Sequence, residues 1–181
     1  MKMYLNLLIF GVSIALTNVF AQSAPGNTDQ ATTQTSEALA TVESATQALK
    51  DSVANDDKKA TLELLAAACK AFPDSADTFV TALILAISEM NANSPSVSAR
   101  NVALGGKAGD VNPSLVGEIV ATAINAAPGS QIAIVAAAIQ VAPNAAAQIN
   151  MAAANPLTFP ITDGKLGIVI DSLNTPPSEV S

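Results

Sequence analysis

The amino-acid sequence predicts an all-α protein in which short antiparallel helices, in a repeat of about 15 residues, stack as a small bundle or α-solenoid. The first observation is the equal spacing of Pro113, Pro128 and Pro143, fifteen residues apart. The second is that an isoleucine follows each proline by six residues and an alanine follows by ten. The third is that most other positions in these units are Ala, Ile, Val or Leu. A helix of about eleven residues is marginal in isolation, so contacts between the helices must stabilise them.

The N-terminus is predicted to be a secretory signal peptide that covers residues 1–21. Lys2 precedes a largely apolar run over residues 4–16, which is shorter than the roughly 20 residues needed to cross a bilayer. The segment ends on Ala21, a small residue of the kind that signal peptidase accepts. We therefore expect cleavage after Ala21 and a periplasmic or extracellular protein. An uncleaved membrane anchor is the alternative.

After the leader, the sequence predicts a disordered linker and then one amphipathic helix. Residues 22–35 are rich in Ser, Thr, Gln and Gly and show no apolar periodicity, which is typical of a linker. From residue 36 to about residue 54, a helical face collects the apolar side chains Leu39, Val42, Leu49 and Val53. This helix opens the predicted helical domain, residues 36–157.

The repeat occupies two blocks of that domain, residues 58–88 and 113–156. Proline biases the residue before it away from the α region, so each proline is expected to end one helix. The residues that follow the prolines are of types favoured as N-caps, and we predict that they begin the next helix: Asp74, Ser114, Gly129 and Asn144.

Two positions in each unit lie seven residues apart, are mostly polar, and are expected to form a shared exposed face. They hold Glu63 and Lys70, Glu118 and Asn125, Ala133 and Gln140, and Gln148 and Asn155. Such a thin polar stripe predicts helices that are mostly buried, with neighbours on more than one side.

Between the two blocks, residues 91–112 are predicted to form a long loop. The segment contains Pro95 and the glycine-rich run Gly105–Asp110, through which a stable helix is not expected. Long loops in compact domains are often functional, so a protein partner is expected to bind through loop 91–112. Residues 158–181 are predicted to form an extended tail with one short β-like stretch at residues 166–170.

The residue types that most often carry catalysis or bind metals are missing from the sequence. The chain has no histidine and no tryptophan, and its one cysteine is Cys69. Zinc sites built from His and Cys, and the usual His-containing triads, are therefore excluded. The sequence predicts no catalytic residue, no metal site and no cofactor. Cys69 lies in an apolar stretch and is expected to act as a small buried hydrophobe.

Three further classes of site are also not expected. The formal net charge is −7 with no Lys/Arg cluster to offset it, which argues against binding of nucleic acid. The run Gly105–Asp110 lacks the spacing of a phosphate-binding loop. Paired acids at Asp56 and Asp57, and at Asp74 and Asp77, match no calcium-binding EF-hand loop. Their places at predicted helix starts, where negative charge is favourable, explain them better.

The Ala-Pro punctuation of the repeat is clearest at residues 127–131 and 142–146. In these residues the chain resembles exported, alanine-rich bacterial proteins with short A-P-punctuated helical repeats, over roughly residues 58–156. The resemblance implies the helical-repeat fold and brings no functional residues with it.

The function favoured by the sequence is that of a non-catalytic structural or protein-interaction module of the bacterial cell envelope or exterior. One alternative is a membrane-active or pore-forming protein that inserts Ala/Ile helical hairpins. Membrane contact is not favoured, because prolines closely bracket the apolar stretch 132–139. Another alternative is a carrier that holds an apolar small molecule between the helices.

Overall fold

The computed structural model describes residues 39–167, which form seven α-helices and no strand. In chain order, these are α1 (Val42–Val53), α2 (Lys58–Ala71), α3 (Ala76–Asn93), α4 (Pro95–Ala103), α5 (Pro113–Ala126), α6 (Gln131–Val141) and α7 (Ala146–Ala154). The predicted all-α class is confirmed for this part of the chain. The predicted signal peptide and linker, and the predicted tail beyond residue 167, lie outside the described residues.

The described helices pack in two rows. The first row is α1, α3 and α6, and the second row is α2, α5 and α7, with each helix in contact with the next one in its row. Consecutive helices alternate between the rows, while α4 packs at the side of α3. The middle of the second row is the most enclosed part of the molecule: α5 is buried without a break from Leu115 to Ile124.

Side chains cap the N-termini of three helices. Thr41 and Ser44 form a reciprocal capping box at α1, and the Asp57 carboxylate accepts a hydrogen bond from the Ala60 amide at α2. Asn112 caps α5 by accepting from the Ser114 amide at 2.8 Å. The helix-start role predicted for Asp57 is therefore confirmed, and each cap satisfies an amide that has no partner inside its helix.

The prediction that the residue after each proline is an N-cap is wrong. Pro73, Pro128 and Pro143 each begin a short 3₁₀ helix of three residues, so the following residue lies inside that turn rather than before an α-helix. Pro113 is itself in the first turn of α5, which suits proline because the first amides of a helix lack partners. Ser114 is consequently already helical.

The residues before the three 3₁₀ helices share one backbone conformation. Phe72, Ala127 and Ala142 have φ of −132°, −135° and −135° and ψ of 69°, 68° and 65°. Each still donates its amide to the carbonyl four residues earlier, as in a last helical turn. This agrees with the expectation that proline moves the preceding residue out of the α region and ends the helix there.

The predicted loop 91–112 is wrong over its first half. Helix α3 continues to Asn93, and α4 occupies Pro95–Ala103. Pro95 stands in the first turn of α4, where its missing amide costs nothing, so it starts a helix rather than breaking one. Within 91–112, only Ser94 and residues 104–112, which include the glycines, lack a helix.

The predicted exposed stripe is confirmed at six of its eight positions. Gln148 is half-buried and Glu118 is buried. The prediction that the repeat helices are mostly buried fails for α6, because Ile132 is 88% exposed. Helix α6 is the last of its row, so no further helix of the described chain covers its outer side.

Residues 156–167, which we call the C-terminal strap, lie back across α5 towards the start of α2. They contain no helix or strand. The Pro156 carbonyl accepts a hydrogen bond from Asn125, and Leu166 at the other end is completely buried. The described tail is therefore part of the packed domain.

Candidate binding groove and buried polar cluster

A groove of about 800 Å³ crosses the first row of helices. Its floor is α3, and its sides are α1 and α6, so three helices far apart in sequence form it together. Leu85 projects from α3 into this region and is 52% exposed, with Ala86 and Met90 partly buried beside it. These side chains form an accessible apolar strip along α3.

Polar groups border that strip. Thr78 and Thr81 contribute hydroxyl groups from α3, Asp77 and Glu89 contribute carboxylates, and Lys50 contributes an ammonium from α1. The charges sum to a mildly acidic border, as expected in a chain of net charge −7. A surface of this kind fits a partner that offers apolar side chains together with basic or hydrogen-bonding groups.

A buried polar cluster lies under the C-terminal strap. The Lys58 ammonium is 2.9 Å from Glu118 Oε2, and the two side chains are 7% and 2% exposed. The Thr162 hydroxyl donates to Glu118 Oε1 at 2.8 Å and accepts from Lys58 Nζ at 2.9 Å. Helix α2, helix α5 and the strap are thus connected through one set of contacts, in which the Thr162 hydroxyl bonds to both buried charges. Glu118 Oε2 is paired with Lys58 by charge but has no hydrogen bond in the described structure.

A second contact fixes the end of the strap. Asp56 precedes α2 with a positive φ of 51°, and its Oδ1 accepts hydrogen bonds from the amides of Leu166 and Gly167 at 2.9 and 3.2 Å. Its other oxygen is 3.5 Å from the Lys165 ammonium. Asp56 therefore holds the strap rather than starting a helix, which departs from the role predicted for it.

Beside the polar cluster is a cavity of about 350 Å³. Leu62 and Ala66 of α2 line it on one side, and Ile161 and Thr162 of the strap line it on the other. Thr122 also lines it, and its hydroxyl is buried without a hydrogen-bond partner in the described structure. The volume is at the lower end of the range for small-molecule sites, so this is where the carrier hypothesis would place its ligand.

Cys69 is completely buried in α2, as the sequence predicts. Desolvation by burial raises the pKa of its thiol from 9.0 to about 12. The thiolate is the reactive form of cysteine, so burial disfavours the reactive form of Cys69.

The glycine-rich segment belongs to loop 91–112, where a protein partner was predicted to bind. Side-chain amides donate hydrogen bonds to its backbone and hold it in place. The Asp110 carbonyl accepts hydrogen bonds from the amide groups of Asn91 and Asn101, each at 3.0 Å. A Cβ at Gly109 would come within 2.8 Å of the Ser88 carbonyl, and Gly105 has a φ of 84°. The glycines thus permit a close approach and a left-handed turn, which explains them without a bound phosphate.

The other acids considered as calcium ligands, Asp74 and Asp77, lie at the start of α3. Asp74 lies in the turn before α3 and Asp77 in its first helical turn. Within residues 39–167, no group of three or more Cys, Asp or Glu side chains is arranged to hold a metal ion.

The polar cluster was not predicted, because the helical pattern places Glu118 on an exposed stripe. One signal was available in the sequence: Glu118 is the only charged residue between Asp110 and Asp163. A single carboxylate in such a long uncharged stretch needs a partner from elsewhere in the chain if it is buried.

No single helix in the described residues is long and apolar enough to cross a membrane. The pair Pro128–Val141 and Pro143–Ala154 passes that test of length and composition only when taken together, and the two parts are bent by 119° at their junction.

Comparisons of this chain with protein-family models, with curated proteins and with solved structures find no match. Its function is therefore inferred from the groove, the polar cluster and the surfaces of the described residues.

Proposed function

We propose that this chain is an exported, non-catalytic helical-repeat protein of the bacterial cell envelope or exterior that acts as a protein-interaction module. The observation that carries the proposal is the groove across α1, α3 and α6, with its exposed apolar strip at Leu85. Stacked helical repeats present such grooves as extended binding surfaces. The recurring backbone conformation before Pro73, Pro128 and Pro143 supports the repeat interpretation.

The groove fits a peptide segment that combines apolar side chains with a lysine or arginine. Leu85, Ala86 and Met90 offer apolar contact, and methionine adapts its shape to different partners. Asp77 and Glu89 offer carboxylates to a basic side chain. Charged groups at the rim of an interface mainly guide association and select partners, while the apolar centre supplies most of the affinity.

Selection of peptides from a displayed random library tests this proposal even though the natural partner is unidentified. We expect enriched peptides to carry apolar and basic residues and to bind with micromolar affinity. Leu85→Asp should weaken their binding by at least about tenfold, since it places a carboxylate in the apolar strip.

A matched control is Leu104→Asp, because Leu104 is also an exposed leucine and lies in the segment predicted from sequence to bind a partner. We expect this variant to retain peptide binding. Peptides that depend on Leu104 and not on Leu85 would move the binding site to loop 91–112. A selection that enriches no binder would contradict the interaction-module function.

Membrane insertion of α6 and α7 is the second candidate function. Residues 119–162 contain no Asp, Glu, Lys or Arg, and Ile132 is exposed on α6. Insertion would require unpacking, because Ile134 and Ile149 of these helices are completely buried in the core. Leakage of vesicles at low protein concentration would favour this candidate over the interaction module.

A further inference from the structure

The last helix of each row presents an apolar face that the described chain leaves uncovered. On α6 this face contains Ile132 and Ala136, which are exposed, and Val135 and Ile139, which are half-buried against the core; Ile132 is 88% exposed. On α7 the neighbouring face contains Ala147 and Met151, and Met151 is 57% exposed. We call these two faces together the open end.

The same repeat positions are covered in α5, which α7 follows in its row. Fifteen residues before the four residues of α6 are Gly117, Val120, Ala121 and Ile124 of α5, and all four are buried. Gly117 is covered by the ring of Phe159 in the strap and by Gln148 of α7, whose Cβ would lie 3.3 Å from an added Cβ. The open end therefore repeats on α6 a pattern of residues that is packed against neighbours on α5.

We propose that the open end binds the open end of a second copy of this chain, related to the first by a two-fold axis. Each end would supply the apolar surface that a following helix supplies inside the rows. An isologous contact of this kind closes on itself as a dimer, whereas head-to-tail stacking of rows would continue into a fibre.

The distribution of charge favours this pairing. Two copies of a chain of net charge −7 repel one another, but residues 119–162 contain no charged side chain, so two open ends meet without desolvating a carboxylate. The opposite end of the rows contains Glu43 on α1 and Lys59 and Glu63 on α2, all exposed. Head-to-tail contact would desolvate those groups against an apolar face, at a cost in free energy.

The C-terminal end of the described residues lies away from the open end. Gly167 ends the strap beside Asp56 and Met90, close to α1 and the end of α3, while the open end is formed by α6 and α7. The face is also small, since it comprises helices of 11 and 9 residues. It offers less than the roughly 800 Å² per partner of a standard interface, so we expect a weak, reversible dimer.

Sedimentation velocity of the purified protein over a concentration series tests the proposal. We expect a reversible monomer–dimer equilibrium with a dissociation constant in the micromolar range. Ile132→Glu should weaken dimerisation at least about tenfold, because it places an unpaired carboxylate in the interface of each copy. Leu104→Glu is the matched control, because it replaces an exposed leucine outside both the groove and the open end, and it should leave the dissociation constant unchanged.

Met151→Lys on α7 provides a second disruption that does not depend on the folding of the Ile132 variant. A protein that stays monomeric at every concentration would overturn the proposal. So would a dimer that neither open-end variant weakens, or a monomer that binds neutral phosphatidylcholine vesicles through Ile132. The last result would make lipid the partner of this face.

Discussion

Replacement of Glu118 by glutamine tests the buried polar cluster. Glutamine keeps the size of the side chain and its ability to accept a hydrogen bond from Thr162, but it removes the negative charge next to Lys58. The Lys58 ammonium, with only 7% of its side chain exposed, would then lack its counter-ion. The structure therefore predicts a large loss of stability from a nearly isosteric substitution.

The expected size follows from the burial of both partners. Breaking a buried ion pair by removing one partner typically costs about 3–5 kcal/mol, and the retained hydrogen bond to Thr162 places Glu118→Gln near the lower end, at about 3 kcal/mol. Replacing both partners with apolar residues of similar volume, as in Lys58→Met with Glu118→Leu, should cost less than about 1 kcal/mol.

Urea denaturation followed by far-ultraviolet circular dichroism measures these differences. The repeat itself provides the control, because Glu63 stands at the same position of its unit as Glu118 but is exposed. Glu63→Gln should change the free energy of unfolding by no more than about 0.5 kcal/mol.

Two results would refute this reasoning. One is a Glu118→Gln variant as stable as Glu63→Gln, which would mean that the Lys58–Glu118 pair is solvated in the folded protein. The other concerns the double variant Lys58→Met, Glu118→Leu. If its loss of unfolding free energy equals the sum of the losses from Lys58→Met alone and Glu118→Leu alone, the two side chains are not coupled.

Two further predictions concern packing around α5 and α2. Gly117→Ala should cost about 1–3 kcal/mol, because the added Cβ would overlap the ring of Phe159 in the strap; Gly129→Ala, which meets nothing within 4 Å, should be close to neutral in the same urea titration, and equal effects would contradict the packing. Cys69 should not react with a thiol reagent at pH 8 until the protein is unfolded in urea, because burial raises its pKa from 9.0 to about 12 and depletes the thiolate. Since the unfolded thiol loses its proton first, the Cys69 contribution to stability should be intact below pH 9 and decrease as the pH rises towards about 12. Comparison with Cys69→Ala isolates this decrease, and rapid labelling of the folded protein would contradict it.

The sequence predicted the helices best where proline spacing and apolar composition coincided. Pro128 and Pro143 mark the turns before α6 and α7, because the geometry imposed by proline is local and does not depend on the rest of the fold. The same rule gave a wrong prediction at Pro95, where a loop was expected and a helix begins. A proline in the first turn of a helix also follows the end of the helix before it. Local signals do not distinguish these cases, because the difference lies in how α4 packs on α3.

The candidate sites were less predictable, because each depends on contacts between distant parts of the chain. Glu118 and Asn125 are seven residues apart and share a helical face in the sequence pattern, yet one is buried and the other exposed. Burial of Glu118 follows from Lys58 and Thr162, which helical periodicity cannot relate to it. The groove is likewise formed by α1, α3 and α6, whose combination depends on the order of helices in the first row.

Binding of a protein segment in the groove along α3 is the central claim, and methionine methyl resonances test it most directly. Met90 lines the groove, while Met151 lies on the open end. Titration of a selected peptide into protein labelled with ¹³C at the methionine methyl groups should shift the Met90 resonance and leave Met151 unchanged. A peptide that binds and shifts only Met151, or neither resonance, would contradict the proposed role of the groove.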